Sequence, residues 1–458
     1  MGRTILLSFT ALAAGALFFF AEALFSPVAT AVPAFARKTG LACSACHEVW
    51  PRLNDFGQLF RDRGYRLKRD RDAPVEQDPS YWPITMRTTA GYQWLRNTLV
   101  PTGDGTTTTA TQTGTFGFTG LDVFAVGTLG DQLSFLITYT PGLTGAGFQL
   151  APSGSDLESA WLGFNDILAS PFLNLRVGKH ALDLPIDEHR QITLTQGYNV
   201  YHFHPQGSAV AFSPGDNQPG IELYGHSELS RVRYSFSLVN ERNSTFWSNQ
   251  VVSNPVVWGH ITGQQHLSNP VLASMKAGVF GSVGWHPAAS LTLATTTGTP
   301  PATTTAPVQG TGFNMKRHMR YGAEAHMMFF STVNPLTISG VIWGGSEDAA
   351  LITPATAGGA TRDARFVGGF VEGVWTINPR LTVIGRYEKI NNTQQGDPTM
   401  AGGTGNLTSV TGAIRHTFEL TSRTEAALQL ELSRVATRAA DGTTPETYIG
   451  FLVLDFAL

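Results

Sequence analysis

From Pro83 to Leu458 the chain repeats one pattern, an apolar–polar alternation at period two interrupted by connections that are in turn short and long. Val232, Tyr234, Phe236 and Leu238 alternate with Arg231, Arg233, Ser235 and Ser237. Leu173, Leu175 and Val177 alternate with Asn174, Arg176 and Gly178, and Ala426, Leu428, Leu430 and Leu432 with Glu425, Ala427, Gln429 and Glu431. Period two places one residue set on each face of a β-strand. A sandwich would alternate in the same way, so the connections carry the distinction. Short turns are expected at 130–131, 166–171, 227–230, 286–290, 333–335, 378–380 and 420–423. Long loops are expected at 97–113, 141–155, 181–216, 242–271, 300–317, 347–362, 393–405 and 437–445. The fifteen connections they make imply sixteen strands. An even strand count, with short turns at one end and long loops at the other, is the outer-membrane barrel pattern. The expected class is therefore mainly β: an antiparallel barrel of about sixteen strands over 83–458, in contact with outer-membrane lipid.

Composition agrees. Charged residues are 14% of the chain and hydrophobic ones 42%, with 49 glycines, which suits neither a disordered chain nor a helical membrane protein. A net charge of −3 gives no basic excess for nucleic acid. Residues 1–31 read as a secretory signal: Arg3, an apolar run from Ile5 to Phe20, then Ala29-Thr30-Ala31 as a small-residue cleavage site.

Between signal and barrel, 32–82 reads as a small separate domain. Both cysteines of the chain lie in Cys43-Ser44-Ala45-Cys46-His47. C-x-x-C-H is the attachment pattern of a c-type haem, with two thiols for the two vinyl groups and the adjacent imidazole for the iron. A redox dithiol needs only the cysteines, and a zinc site needs a further ligand nearby. Pro51 is expected to open a helix running to Arg63, with Leu53, Phe56, Leu59 and Phe60 as its apolar stripe and Gly64 as its stop. The stretch Arg61, Arg63, Arg66, Lys68, Arg69 and Arg71 could pair with haem propionates or be a solvated face. A sixth ligand could be Met86, a barrel histidine or water. About fifty residues form a poor core alone, so the haem domain is expected to plug the barrel lumen, where one insulated haem could relay electrons across the membrane.

Within the 181–216 loop, Asp183, Asp187, Glu188, His189, His202 and His204 could hold a divalent metal, with His189, His202 and His204 as its imidazoles. Ordinary loop polarity or packing of an inward-folded loop would give the same residues. Arg176, Arg386, Glu388 and Glu431 are expected to face an aqueous bore.

The stretch Phe35-Ala36-Arg37-Lys38-Thr39-Gly40-Leu41-Ala42-Cys43-Ser44-Ala45-Cys46-His47, with Pro51, Leu53, Phe56-Gly57 and Gly64-Tyr65, resembles the outer-membrane porin–cytochrome c fusions of iron-oxidising bacteria. The motif-level likeness covers about residues 33–66. It implies one covalently bound c-type haem, with Cys43 and Cys46 as thioether sites and His47 as axial ligand. It further implies oxidation of extracellular Fe(II), with electrons passed to a periplasmic cytochrome, as an Fe(II):cytochrome c oxidoreductase. The alternatives are the same conduit with another donor or acceptor, or a transport porin whose haem segment is a plug or sensor.

Overall fold

The structure is a computed structural model describing residues 34–67, 83–98, 111–130, 132–141, 156–194, 197–241, 255–288, 294–297, 302–305, 315–330, 334–355, 359–421, 424–440 and 442–457. The expected signal segment, the boundary near 82 and the Lys68–Asp72 charges lie outside the described residues.

Sixteen antiparallel strands close into one barrel. They are β1 Ile84–Asn97, β2 Gln112–Leu129, β3 Leu133–Thr140, β4 Asp156–Phe164, β5 Asn174–Ala181, β6 Asn217–His226, β7 Val232–Asn240 and β8 Pro255–His266. The second half is β9 Leu272–Pro287, β10 Met315–Phe329, β11 Leu336–Glu347, β12 Ala364–Asn378, β13 Leu381–Gln394, β14 Leu407–Thr421, β15 Thr424–Thr437 and β16 Glu446–Ala457. Each strand pairs with its sequence neighbour, and β16 closes on β1 from Thr447↔Asn97 to Ala457↔Arg87. Closure leaves no edge with unpaired backbone groups, the condition for crossing a bilayer in strands.

The sixteen-strand count stands, but two boundaries differ from the sequence expectation. Pro255–His266 is a strand inside the expected 242–271 loop, and the turn that follows it is at 267–271. Its alternation is masked in sequence because its outward register includes Gly259 and Gly263, while Trp258, His260 and Thr262 are buried. Conversely, β9 runs through His286 to Pro287, into the expected 286–290 turn. The expected strand after that turn is absent from the barrel, and Ala294–Thr297 pairs with Ala302–Thr305 as a separate two-stranded ribbon.

The outward register is apolar almost all the way round: Phe116, Ile137, Leu162, Ile221, Phe236, Ile261, Val279, Ile342, Val371, Ile414 and Leu432 are all exposed. Such a band is far larger than soluble monomers leave in water. The inward register is polar and buried. Arg176, Glu222, Glu324, Arg320, Glu347, Glu372, Arg386, Glu388, Arg415, Glu431 and Asp455 are each 7% exposed or less.

Two pieces of chain occupy the lumen. The first is the N-terminal segment, α1 Ala34–Thr39, α2 Cys43–Cys46, a small ribbon of His47–Val49 with Arg52–Leu53, and α3 Asp55–Asp62. Thr128 and Arg233 among its partners lie at strand ends joined by short turns, Asp166 lies in such a turn, and Glu372 lies midway along β12. Lys38 reaches Thr128, Arg52 pairs with Glu372 at 2.5 Å, Asp62 with Arg233 at 2.9 Å and Arg66 with Asp166 at 2.7 Å. The second is the 182–216 connection between β5 and β6, which folds inward from the other end and carries α4 Asn199–His202. It buries Leu182, Tyr198, Val200, Tyr201 and Phe212 against Trp258, Phe280, Trp343, Phe366 and Phe370 of the wall. A packed aromatic core therefore fills the lumen on the β8–β12 side.

The helix α3 starts at Asp55, four residues later than expected, because Arg52 and Leu53 are used in the ribbon. Asn54 caps it, accepting from Gly57 N at 2.9 Å, and Gly64, at φ +67°, ends it. The expected apolar stripe holds only in part, since Phe60 is buried and Phe56 is 41% exposed.

Beside the β16–β1 seam, Asp455 is fully buried and serves three groups: Arg87 at 3.3 Å, Arg415 at 2.9 Å and Thr89 at 2.9 Å. Asp455→Asn leaves two guanidinium groups without their carboxylate, and breaking a buried pair costs about 3–5 kcal/mol. The expected outcome is a lower temperature for loss of the compact, heat-modifiable band of the detergent-solubilised barrel on a gel. Unchanged heat-modifiability would contradict this account of the seam.

Candidate functional site

Cys43 and Cys46 begin and end one helical turn, α2, and His47 follows at once in the ribbon. The turn is held from below: Asn54 N donates to Cys46 O at 3.0 Å and the Asn54 amide to Ala45 O at 3.1 Å. Gly57 of α3 lies so close to α2 that a Cβ there would stand 2.0 Å from Cys46 O. The glycine of the Phe56-Gly57 pair is thus required by close approach of α3 to the cysteine turn.

All three motif residues border one cavity of about 280 Å³, walled by the N-terminal segment, the inner face of β1–β5 and the 182–216 loop. Its apolar side includes Phe35, Leu41, Trp50, Phe60, Tyr65, Val126, Leu136 and Trp161. The rings there pack together, Phe35 with Phe60 at 5.0 Å, Phe35 with Tyr65 at 4.9 Å and Tyr65 with Trp161 at 6.2 Å. Its polar side includes Arg61, Arg87, Arg176, Asp187, His189 and Arg190.

His47 Nδ1 lies 3.1 Å from Pro51 O, so Nε2 is the nitrogen that would ligate a metal. Burial, reinforced by the nearby Arg190 charge, pushes its pKa down to about 4, so the imidazole is neutral over the usual range, the form a metal requires. Burial pushes the Cys46 thiol up.

The loop's contribution is a short turn, Glu188–Arg190. Its cap, Asp187, accepts from His189 N at 3.1 Å. Two guanidinium groups share that carboxylate: Arg61 at 3.3 Å and Arg190 at 3.1 Å. Both border the cavity, so this junction of insert and loop carries more positive than negative charge. Burial and the Arg61 charge together lower the Arg190 pKa, which expresses the crowding. A cavity with an apolar flank, a neutral imidazole beside two thiols and excess arginine fits a flat, largely apolar macrocycle bearing two carboxylates.

The other expected site residues are placed as follows. Met86 borders the same cavity, yet it is 40% exposed and shares the strand register of Thr88, Ala90, Tyr92 and Trp94, opposite to the buried Thr89 and Gln93. The three loop histidines are held apart by different partners. His189 Nδ1 is 2.8 Å from Glu158, His202 Nε2 is 2.7 Å from Glu188, and His204 Nε2 is 3.1 Å from Ser213 Oγ. Among the described residues no group of three or more His, Cys, Asp or Glu side chains is arranged to hold a metal ion. The loop is inward-folded, and its polar residues are used in packing: Asp183 pairs with Arg233 and His260, at 2.9 and 3.0 Å. His189 is held up to about 9, because the carboxylates of Glu158, Asp187 and Glu188 outweigh a burial that would by itself lower it. Arg176, Arg386, Glu388 and Glu431 face the lumen, but each is buried in contacts rather than lining open water. Arg176 pairs with Glu222, Arg386 lies 3.8 Å from Glu372, Glu388 accepts from Val200 N at 2.7 Å, and Glu431 accepts from Leu194 N at 2.7 Å.

Sequence reading missed the Arg61–Asp187–Arg190 junction, because Arg61 lies more than a hundred residues from the other two and shares no motif with them.

No family model matches the chain, and no curated protein is similar to it. Among solved structures, it is similar to an anion-selective porin from Comamonas acidovorans, with a TM-score of 0.47, 10% identity, and coverage of 82% of this chain and 99% of that one. It is also similar to the outer membrane channel DcaP of Acinetobacter baumannii, at a TM-score of 0.47 and 13% identity, covering 82% and 97%. In vitro folded OmpT of Vibrio cholerae gives a TM-score of 0.43 at 11% identity, covering 82% and 100%.

Proposed function

We propose that this chain is an outer-membrane electron conduit: a plugged porin-like barrel that carries one covalently bound c-type haem in its lumen. The observation that carries the reading is the single cavity that brings Cys43, Cys46 and a neutral His47 beside an apolar wall and an arginine-rich rim. The thiols of Cys43 and Cys46 would each add across a vinyl group, forming a C–S bond while the thiol hydrogen goes to the other vinyl carbon. His47 Nε2 would be an axial ligand. Once bound, the group supplies one-electron redox chemistry.

The protein's own residues do the rest. The exposed apolar band seats the barrel in lipid, and the ends joined by short turns face the periplasm. The insert 34–67 and the loop 182–216 supply walls of the cavity, while Arg61 and Arg190 offset carboxylate charge at their junction. The donor we assign is extracellular Fe(II), following the resemblance of residues 33–66, with a periplasmic cytochrome as acceptor. The 32–82 and 83–458 division fits this reading as cofactor-bearing insert and barrel.

One observation favours a second reading, a transport porin with residues 34–67 as plug. A polar cavity of about 170 Å³ runs beside the insert, lined in part by Arg52, Asp55, Arg61, Asp183, Arg231 and Lys276.

Three measurements decide. The intact mass of protein exported with haem-attachment machinery is expected to exceed the polypeptide by one haem, and Cys46→Ser is expected to weaken or abolish that attachment. A wild-type mass without haem overturns the proposal. Anaerobic mixing of the oxidised protein with Fe(II) is expected to give the reduced c-type α-band. Reduction by dithionite but not by Fe(II) keeps the haem and removes iron as donor. In planar bilayers the plugged barrel is expected to conduct poorly, and large solute conductance by the wild type would favour the porin reading.

A further inference from the structure

Resting on the haem reading above, we infer that His189, on the 182–216 loop, is the second axial ligand, so that the site is closed by two imidazoles from two different inserts.

Four observations carry this. First, the imidazoles bordering the cysteine cavity are those of His47 and His189. Second, each has Nδ1 engaged by an oxygen, His47 by Pro51 O at 3.1 Å and His189 by Glu158 Oε1 at 2.8 Å. An imidazole fixed through Nδ1 presents Nε2 as ligand, and a carboxylate partner makes it a more basic one; His189, held up to about 9, would release its Nε2 proton as it binds the iron. Third, His189 keeps 32% of its side chain exposed at the cavity, so its ring is not consumed by packing. Fourth, the ring is anchored from both sides of the junction. Asp187 caps the His189 turn and binds Arg61 of the cysteine-bearing insert, which ties the two candidate ligands into one scaffold. Met86 lacks this arrangement, since its register faces away from the lumen.

The consequence is structural as well as electronic. A ligand supplied by the loop locks the long-loop insert to the short-turn insert through the cofactor. Glu158 on β4 acts as a positioning residue, holding the ring from the barrel wall.

The test is spectroscopic, on the full-length haem protein in detergent. The ferric wild type is expected to be low-spin with bis-imidazole EPR features and without the long-wavelength sulfur-to-iron band. His189→Ala is expected to become high-spin and to return to low spin on adding imidazole. His189→Met is expected to gain the sulfur-to-iron band, a new signal that an unfolded variant cannot give. Glu158→Gln is expected to keep six-coordination but raise the reduction potential, because a less basic imidazole favours ferric iron less. Met86→Leu is expected to change none of these. A His189→Ala spectrum identical to wild type, or loss of a sulfur-to-iron band on Met86→Leu, overturns the ligand assignment while leaving the haem in place. Absence of covalent haem from the wild type overturns both readings together.

Discussion

A sixteen-stranded barrel encloses more space than its own inward side chains can fill, and most of this molecule follows from how that space is occupied. Here the filler is chain, not bulk water. One insert enters from the short-turn end and one from the long-loop end, and they meet at Asp187. That meeting explains why so many wall charges are buried. Glu372 and Glu388 cannot rely on solvent, so Arg52 and Tyr198 satisfy the first, and Asn199 and Val200 N the second. The inserts and the wall charges are one network. Neither would be stable with the other removed, because a buried carboxylate without a partner is costly.

The barrel was legible because its evidence is local and repeated. Alternation at period two tells inside from outside on each strand, and fifteen alternately short and long connections fix parity. Two boundaries failed for local reasons, glycines in the outward register of β8 and a proline at the end of β9. Their effects on the count cancelled, so the number survived errors in the positions. The cysteine motif was legible because its chemistry is compressed into five residues. What encloses it was not, since Arg61 with Asp187 and Glu158 with His189 are pairings set by tertiary approach, which no spacing encodes.

The loop histidines show the same limit from the other side. Read as a string, His189, His202 and His204 with Asp183, Asp187 and Glu188 look like a donor set. Folded, each imidazole has a separate task. His202 is bound to Glu188 and His204 to Ser213, while Asp183 serves Arg233 and His260. Proximity in sequence concentrated the residue types, and the inward fold then gave them different partners, some in the loop itself and some on the wall.

The division of the lumen bears on the choice between a conduit for electrons and one for solutes. The aromatic core formed by Tyr198 and Tyr201 with Trp258, Phe280, Trp343 and Phe370 is buried and packed, with ring centroids 4.5–6.2 Å apart. A hydrated solute has no path through such a region without unpacking it, whereas an electron needs only short separations between redox centres. The same packing lowers the local dielectric, so the charge state of any group beside it is set by fixed partners rather than by solvent. An insulated cavity with preset charges tunes a redox centre, while a pore gains nothing from insulation. On the proposed reading the wide lumen would serve as a sheath, and the cysteine cavity would be the opening in it that takes the cofactor.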